Sequence, residues 1–202
     1  MTSTTTPHIT ISPESQEQLF REARTANTFT DEPVTDEQVR AIYDLVKWAP
    51  TSMNQQPLRA TLVRSPEARE RLVGHMADGN KEKTGNAPLA VILTADTDFH
   101  EHLPSQFPPV PNAKDFFAEA TGRESSARLN ATLQVGYFIL GVRAAGLAAG
   151  PMTGFDAAGI EADFFPEGNQ RVLAVVNVGR PGPDAWYPRL PRLEYDQVVS
   201  SV

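Results

Sequence analysis

The chain of 202 residues contains no cysteine, no long apolar run and fewer basic than acidic residues. The lack of cysteine excludes disulfides, thiolate nucleophiles and cysteine-based metal sites. No stretch approaches the roughly 18 apolar residues that a membrane-spanning helix needs. The formal net charge of −7 argues against non-specific binding to nucleic acid or to an anionic membrane. We therefore expect a protein of a reducing compartment, the cytoplasm, without nucleic-acid or membrane partners.

Common catalytic signatures are absent as well. The chain has no G-x-S-x-G, no G-x-G-x-x-G and no G-x-x-x-x-G-K-[ST] segment. His100-Glu101-His102 offers two imidazoles but no third ligand at a familiar spacing, so no metal site is predicted.

The composition that remains is typical of a globular protein, with 40% hydrophobic and 21% charged residues. The length suits one sizeable core, and no repeat or linker divides the chain, so we predict a single domain over residues 1–202. Residues 1–12 are rich in Thr and Ser and lack the basic and apolar regions of a secretory signal. We expect this segment to be flexible.

Capping signals and apolar periodicity predict an α+β fold, with helices around a mixed sheet. Helices are expected to begin after Ser12, Thr35 and Ser65, the first running to about Arg24 and the third ending near Ala77. Apolar runs predict strands at 59–64, 88–95 and 171–179, the last two buried on both faces. A short helix is expected after residue 156.

Residues 124–145 form the longest predicted helix, which Gly146 ends. It is apolar most of the way round, so it must be buried in the core or in a subunit interface. The preceding segment, 100–123, is too apolar for a linker and too rich in proline for regular structure. It is either a lid over a site or a surface loop with its own small cluster. Residues 180–202 form a C-terminal extension rich in Pro and Arg.

The segment 48–57 is a proline-bracketed loop with neutral hydrogen-bonding side chains at Thr51, Ser52 and Asn54, followed by Gln55 and Gln56. Such side chains suit the binding of a neutral, polar, planar molecule, because none of them is a strong nucleophile or base by itself. A second unusual stretch, 150–156, contains two glycines and a proline. Together the two stretches suggest a bound cofactor that the protein orients.

Three further sets of residues can be interpreted either as parts of a binding site or as ordinary structural features. Arg189 and Arg192 flank prolines and suit an anion such as phosphate, but a solvated tail explains them too. Arg24-Thr25-Ala26-Asn27 could complete a phosphate cradle or simply end a helix. Asn80 and Lys83 can share a helical face and stabilise negative charge on a ring, or Lys83 can belong to a solvated lysine pair.

These segments occur in an order that resembles the nitroreductase family of FMN-dependent oxidoreductases along nearly the whole chain. Within that family the sequence is most similar to the malonic semialdehyde reductase branch of pyrimidine degradation. The segments that carry the resemblance are Arg24-Thr25-x-Asn27-x-Phe29, residues 48–57, Asn80-x-x-Lys83, residues 150–156 and Arg189-Leu190-Pro191.

The resemblance implies a nitroreductase-like fold with a mainly antiparallel sheet, in an intertwined homodimer that holds FMN at its interface. It implies ping-pong chemistry with NADH or NADPH as hydride donor, and Lys83 and Gly154 as the catalytic positions. Lys83 would stabilise negative charge on the ring, and the Gly154 N–H would point at the flavin N5 edge. The remaining cofactor-binding positions that it implies are Arg24, Thr25, Asn27, Pro50, Thr51, Ser52, Asn54, Asn80, Pro151, Met152, Thr153 and Arg189.

Two positions depart from the family pattern, which often has arginine at position 27 and an acidic residue at position 153. The function implied is reduction of a small carbonyl, malonic semialdehyde, to 3-hydroxypropionate. The alternatives are a nitro or quinone reductase with broad acceptor use, and a flavin-binding protein without turnover.

Overall fold

The structure is a computed structural model, and it describes residues 9–202. The expected flexibility of residues 1–8 therefore lies outside the described part of the chain. Within that part, eight α-helical segments precede, separate and follow four strands. The helices are α1 Pro13–Gln16, α2 Asp36–Val46, α3 Pro66–His75, α4 Asp78–Gly85, α5 Leu103–Gln106, α6 Ala120–Ala144, α7 Ala157–Phe164 and α8 Tyr195–Val198.

The strands are β1 Leu58–Val63, β2 Leu89–Asp96, β3 Ala148–Met152 and β4 Gln170–Gly179. They form one sheet in the order β1-β2-β4-β3, and each neighbouring pair is antiparallel. The sheet between layers of helices confirms the expected α+β class. Strand β3 was not predicted, because its small residues and Pro151 carry no alternating pattern. Proline is tolerated there because β3 is an edge strand.

The two faces of the sheet carry separate hydrophobic clusters, so β2 is buried along its whole length. Leu89, Val91 and Leu93 point toward α2 and α6, while Ala90 and Ile92 point toward α3 and α7. This alternation follows from the two-residue period of a strand. The prediction that β2 and β4 are covered on both faces is thus confirmed.

The helix predicted over 124–145 begins earlier, at Ala120, where the Glu119 side chain accepts hydrogen bonds from the N–H groups of Thr121 and Gly122. It ends before Gly146, whose φ of 74° is the left-handed conformation that glycine adopts without strain. Within the helix, Gly141 allows close packing on α2, because a Cβ there would lie 2.3 Å from Val46 Cγ1.

Two other expectations need correction. The first helix does not continue to Arg24: α1 passes into a π-helical turn, Glu17–Arg21, and the chain is irregular from there. The segment 100–123 is not devoid of regular structure. It contains α5 and two 3-10 turns, and Phe99, Leu103 and Ala113 pack with α6 in a buried cluster. The segment therefore has its own core, and a lid role stays a prediction.

Several large apolar side chains remain exposed in the single chain. Along α6 they are Leu129, Leu133 and Tyr137, which are 67%, 50% and 42% exposed. The C-terminal extension adds more of them: Tyr187, Leu190, Leu193, Tyr195 and Val198. Exposed apolar patches of this kind mark surfaces that another molecule covers. No helix within residues 9–202 is both long and apolar enough to cross a membrane.

Candidate functional site

A cavity of about 230 Å³ lies between the segment after the first helix and the C-terminal extension. Arg24, Arg189 and Arg192 line it, and no carboxylate does. The buried Nε of Arg24 donates no hydrogen bond within the described residues. Arg189 is anchored by donating to the carbonyls of Arg21 and Ala23. Several guanidinium groups around a small cavity without an acidic side chain form a binding site for an anion.

A larger cleft of about 730 Å³ adjoins this cavity, and Asn27 and Tyr187 line both. Lys83 on α4 also lines the cleft. No carboxylate in residues 9–202 forms an ion pair with Lys83, whereas Lys81 on the same helix pairs with Asp78 at 2.8 Å. Lys83 is therefore the cation of α4 that is free to act on a molecule in the cleft.

The end of α4 is fixed by side chains from the sheet and from α3. Asn177 on β4 donates from Nδ2 to the carbonyl of Lys83 at 3.0 Å. Arg69 donates from Nη1 to the carbonyls of Thr84 and Ala87, at 2.7 and 2.6 Å. Burial lowers the pKa of Arg69, but a guanidinium stays charged at neutral pH. These bonds set the position of the Lys83 backbone relative to the sheet.

Gly154 packs directly against Asn80. The Gly154 carbonyl accepts from Asn80 Nδ2 at 2.9 Å and from the Ala77 N–H at 3.0 Å. A Cβ at position 154 would lie 2.8 Å from Asn80 Nδ2, so only glycine permits this approach. Asn80 and Gly154, which are 74 residues apart in sequence, are thus in direct contact, and the roles that the resemblance implies for them stay predictions.

The chain around Gly154 is held by a cluster between α3 and α7. Asp163 accepts from Arg71 Nε at 3.0 Å and lies 3.1 Å from His75 Nε2. The Arg71 guanidinium, and then His75, hold the pKa of Asp163 below its ordinary value. The His75 carbonyl accepts from the Asp156 N–H at 2.8 Å, so this cluster links the α3–α7 contact to the 154–156 backbone.

The polar loop 48–57 lies elsewhere. Pro50, Thr51 and Asn54 line a separate cavity of about 450 Å³, which shares no lining residue with the anion cavity or the larger cleft. The structure of one chain therefore divides the sequence-predicted site residues into two groups. Arg24, Thr25, Asn27 and Arg189 share a cavity that joins the cleft of Lys83, while the loop is apart from them.

Three residues of this loop are in the left-handed backbone region without being glycine. Met53, Asn54 and Gln56 have φ values of 49°, 52° and 46°. Each such residue costs about 1 kcal/mol or more, and the cost persists only where neighbouring contacts impose the conformation. Asn54 is fixed by donating to the Gln106 carbonyl at 2.8 Å and by accepting from Gln56 Nε2 at 2.9 Å.

Three other implied residues, Pro151, Met152 and Thr153, lie in or just after strand β3. Met152 is buried in β3, where its sulfur accepts from the Thr84 hydroxyl at 3.9 Å, and Pro151 pairs with Val176. Thr153 is exposed just after β3.

The sequence did not predict Tyr187, which lines both connected cavities, or the buried amides of Asn130 and Gln134 on α6. The signal for the amides was present: two polar residues one turn apart in an apolar helix.

Comparisons with known proteins identify the family and the fold of the chain. The model of the nitroreductase family matches residues 20–180. A provisionally named NADH dehydrogenase/NAD(P)H nitroreductase of Streptomyces coelicolor is 66% identical over 195 residues, which are 96% of this chain and 99% of that protein.

Solved structures share the fold. A nitroreductase of Bacillus subtilis superposes with a TM-score of 0.84 at 21% identity, over 94% of this chain and 99% of that one. A nitroreductase of Exiguobacterium sibiricum, solved in complex with FMN, superposes with a TM-score of 0.83 at 18% identity, over 98% of this chain and 100% of that one.

Proposed function

Because the chain belongs to the nitroreductase family, we propose that it is an FMN-dependent oxidoreductase that uses NADH or NADPH to reduce a small carbonyl, malonic semialdehyde, to 3-hydroxypropionate. The observation that carries the flavin assignment is the carboxylate-free arginine cavity joined to the cleft that contains Lys83. The arginine cavity suits a phosphate dianion, and the cleft that contains Lys83 suits a polar ring.

The side chains present fit FMN. Arg24, Thr25 and Arg189 would bind the phosphate, and the buried Nε of Arg24 is a donor without a partner among residues 9–202. Asn80 and Lys83 would contact the ring, and the Gly154 N–H would point at its N5 edge, since the missing Cβ of Gly154 leaves room for the Asn80 amide beside it. Asn27, Pro151, Met152 and Thr153 would complete the surroundings. Bound FMN would supply hydride transfer between the nicotinamide and the acceptor.

The role of Lys83 follows from its charge and its lack of an ion-pair partner in the described residues. Its ammonium group would lower the energy of negative charge that develops on the ring or on the carbonyl oxygen of the acceptor. No acid–base side chain is required for hydride transfer itself.

We further propose that the enzyme is an intertwined homodimer with a site at each end of its interface. The loop residues Pro50, Thr51, Ser52 and Asn54 would then meet the arginine cavity of the partner subunit. The separation of the two groups within one chain supports this arrangement, as do the exposed apolar residues of α6 and of the C-terminal extension. The cytoplasmic location stays a prediction.

A second acceptor class deserves equal testing, since the name of the Streptomyces coelicolor relative includes an NAD(P)H nitroreductase activity. Side-by-side turnover with malonic semialdehyde, a quinone and a nitroaromatic separates the two candidates. A higher kcat/KM for the semialdehyde supports the first candidate, and a higher value for the nitroaromatic or the quinone replaces it with the second.

The flavin assignment is tested first, by an absorbance spectrum of the purified protein under anaerobic conditions, before and after NADH and then NADPH. We expect flavin bands that bleach with at least one of the two donors. Bands that persist with both would point to a flavin-binding protein without turnover. A protein that neither contains nor binds FMN would overturn the proposal.

A further inference from the structure

Residues 51–58, the second half of the polar loop 48–57 and the first residue of β1, are called loop 51–58 below. Two buried amide side chains of α6 hold this strained segment near both of its ends. Asn130 Oδ1 accepts from the Ser52 N–H at 2.8 Å, and Gln134 Oε1 accepts from the Leu58 N–H at 3.0 Å. Asn130 and Gln134 are four residues apart, so they lie one above the other on one helical face. Their exposed fractions are only 4% and 7%.

The middle of the loop is bound to the same face. The Gln55 side chain, 2% exposed, accepts at Oε1 from Asn130 Nδ2 and from the Ser126 hydroxyl, both at 3.1 Å. Asn130 Nδ2 also donates to the Ser126 carbonyl at 2.9 Å, which fixes the orientation of the Asn130 amide. The contacts thus fix the loop at its start, its centre and its end.

This set of bonds encloses the three left-handed residues, Met53, Asn54 and Gln56. Glycine at these positions would have removed the strain, but none is present. The loop conformation is therefore imposed from α6, and it points Thr51 and Asn54 toward the 450 Å³ cavity. Imposed strain next to a polar cavity indicates pre-organisation for a ligand rather than simple chain reversal.

We propose that Asn130 and Gln134 are positioning residues that hold loop 51–58 ready to bind the flavin ring and sugar chain, an inference that rests on the proposed function. They do not contact the cofactor themselves. Their loss should therefore weaken the binding of FMN and of riboflavin by the same factor, because the phosphate lies at the arginine cavity and not at the loop.

The test compares Asn130→Leu and Gln134→Met, which keep the side-chain size and remove the amide. The matched control is Thr94→Val, which removes a buried hydrogen bond, 2.6 Å to Gln170, on the face of the sheet that points away from α6. Dissociation constants for FMN and riboflavin are measured on apo protein by fluorescence quenching, together with the apo melting temperature. We expect both constants to rise about tenfold in the α6 variants and to stay unchanged in Thr94→Val despite a similar loss of melting temperature.

The inference is overturned if the α6 variants bind both flavins as tightly as Thr94→Val does, or if only FMN binding weakens. Should Asn130→Leu fail to fold, Gln134→Met decides, because it removes a single bond to the loop. A wild-type protein that binds neither flavin defeats the proposed function instead, so the two failures are distinguishable.

Discussion

Arg24 illustrates how a single guanidinium can identify a ligand class. Within the part of the chain that the structure describes, its only acidic contact is a pair with the exposed Glu22 at 3.4 Å, and surface pairs of this kind are weak. Its Nε is buried and unpaired within the described residues. A phosphate in the arginine cavity would offer an acceptor to this guanidinium, which lines the cavity.

Replacement of Arg24 by Gln should weaken FMN binding about 10- to 100-fold, because it removes a charge-assisted bond to phosphate. Riboflavin, which has no phosphate, should bind unchanged. Fluorescence titration with both ligands measures the ratio. Arg64→Gln, which disrupts an exposed pair with Asp36, serves as control and should change neither constant. Equal losses for FMN and riboflavin would contradict a phosphate contact.

Lys83 and Lys81 form a natural comparison on one helix, since only Lys81 has a carboxylate partner. Lys83→Ala should slow turnover about 10- to 100-fold through the loss of electrostatic stabilisation, with the melting temperature unchanged. Lys81→Ala should retain turnover. Steady-state kinetics of both variants, with flavin content checked by absorbance, gives the result. Normal turnover by Lys83→Ala would exclude the electrostatic role.

At the scale of elements, the sequence predicted the helices and strands whose capping residues and apolar patterns agree with their tertiary environment. The capping box of Thr35 and Gln38 is present as expected, and so is the break at Gly146. The start of α6 was misplaced because Glu119 is an unusual helix cap. Strand β3 was missed because an edge strand of small residues acquires its structure from pairing with β4 rather than from its own pattern.

The candidate site was predictable by residue type but not by arrangement. The arginines and the polar loop could be recognised from their chemistry and order. The left-handed backbone at Met53 and Gln56 could not, because neither residue type favours it and the constraint comes from α6, about 75 residues away in sequence. The same holds for the division of the site into two separate cavities within one chain.

The contact between α3 and α7 should make stability depend on pH through Asp163. Its pKa in the folded state lies below the ordinary 3.8, mainly because of Arg71 and then His75. The stabilisation is therefore fully present above that ordinary value and is lost as the pH falls through the folded-state pKa. Asp163→Asn should lower the melting temperature at pH 7, and the difference from wild type should shrink below about pH 4.

Thermal melts from pH 7 to pH 3 measure this dependence. The control is Asp115→Asn, whose exposed carboxylate forms no ion pair in residues 9–202 and which should melt like wild type at each pH. A difference for Asp163→Asn that stays constant down to pH 3 would show that the ion pair does not contribute.

At the scale of the whole molecule, the exposed apolar stripe of α6 is the surface that the proposed dimer would cover. Leu133 is 50% exposed, and an aspartate there would place a charge in any interface that covers the stripe. Leu133→Asp should therefore halve the molar mass measured by light scattering and release the flavin. Glu70→Lys, a larger change of charge at an exposed position of α3 on the opposite face of the sheet, should remain dimeric. A monomeric wild type would contradict the proposed dimer.

The two cavities that share no residue have a genetic consequence. If each site combines the arginine cavity of one chain with the loop of its partner, a chain defective at Lys83 and a chain defective at Asn54 carry complementary lesions. Random pairing of the two inactive chains would leave one intact site in half of the dimers, and thus about a quarter of wild-type activity. Two inactive alleles would restore one another in the same cell, whereas two alleles with lesions in the same cavity would not.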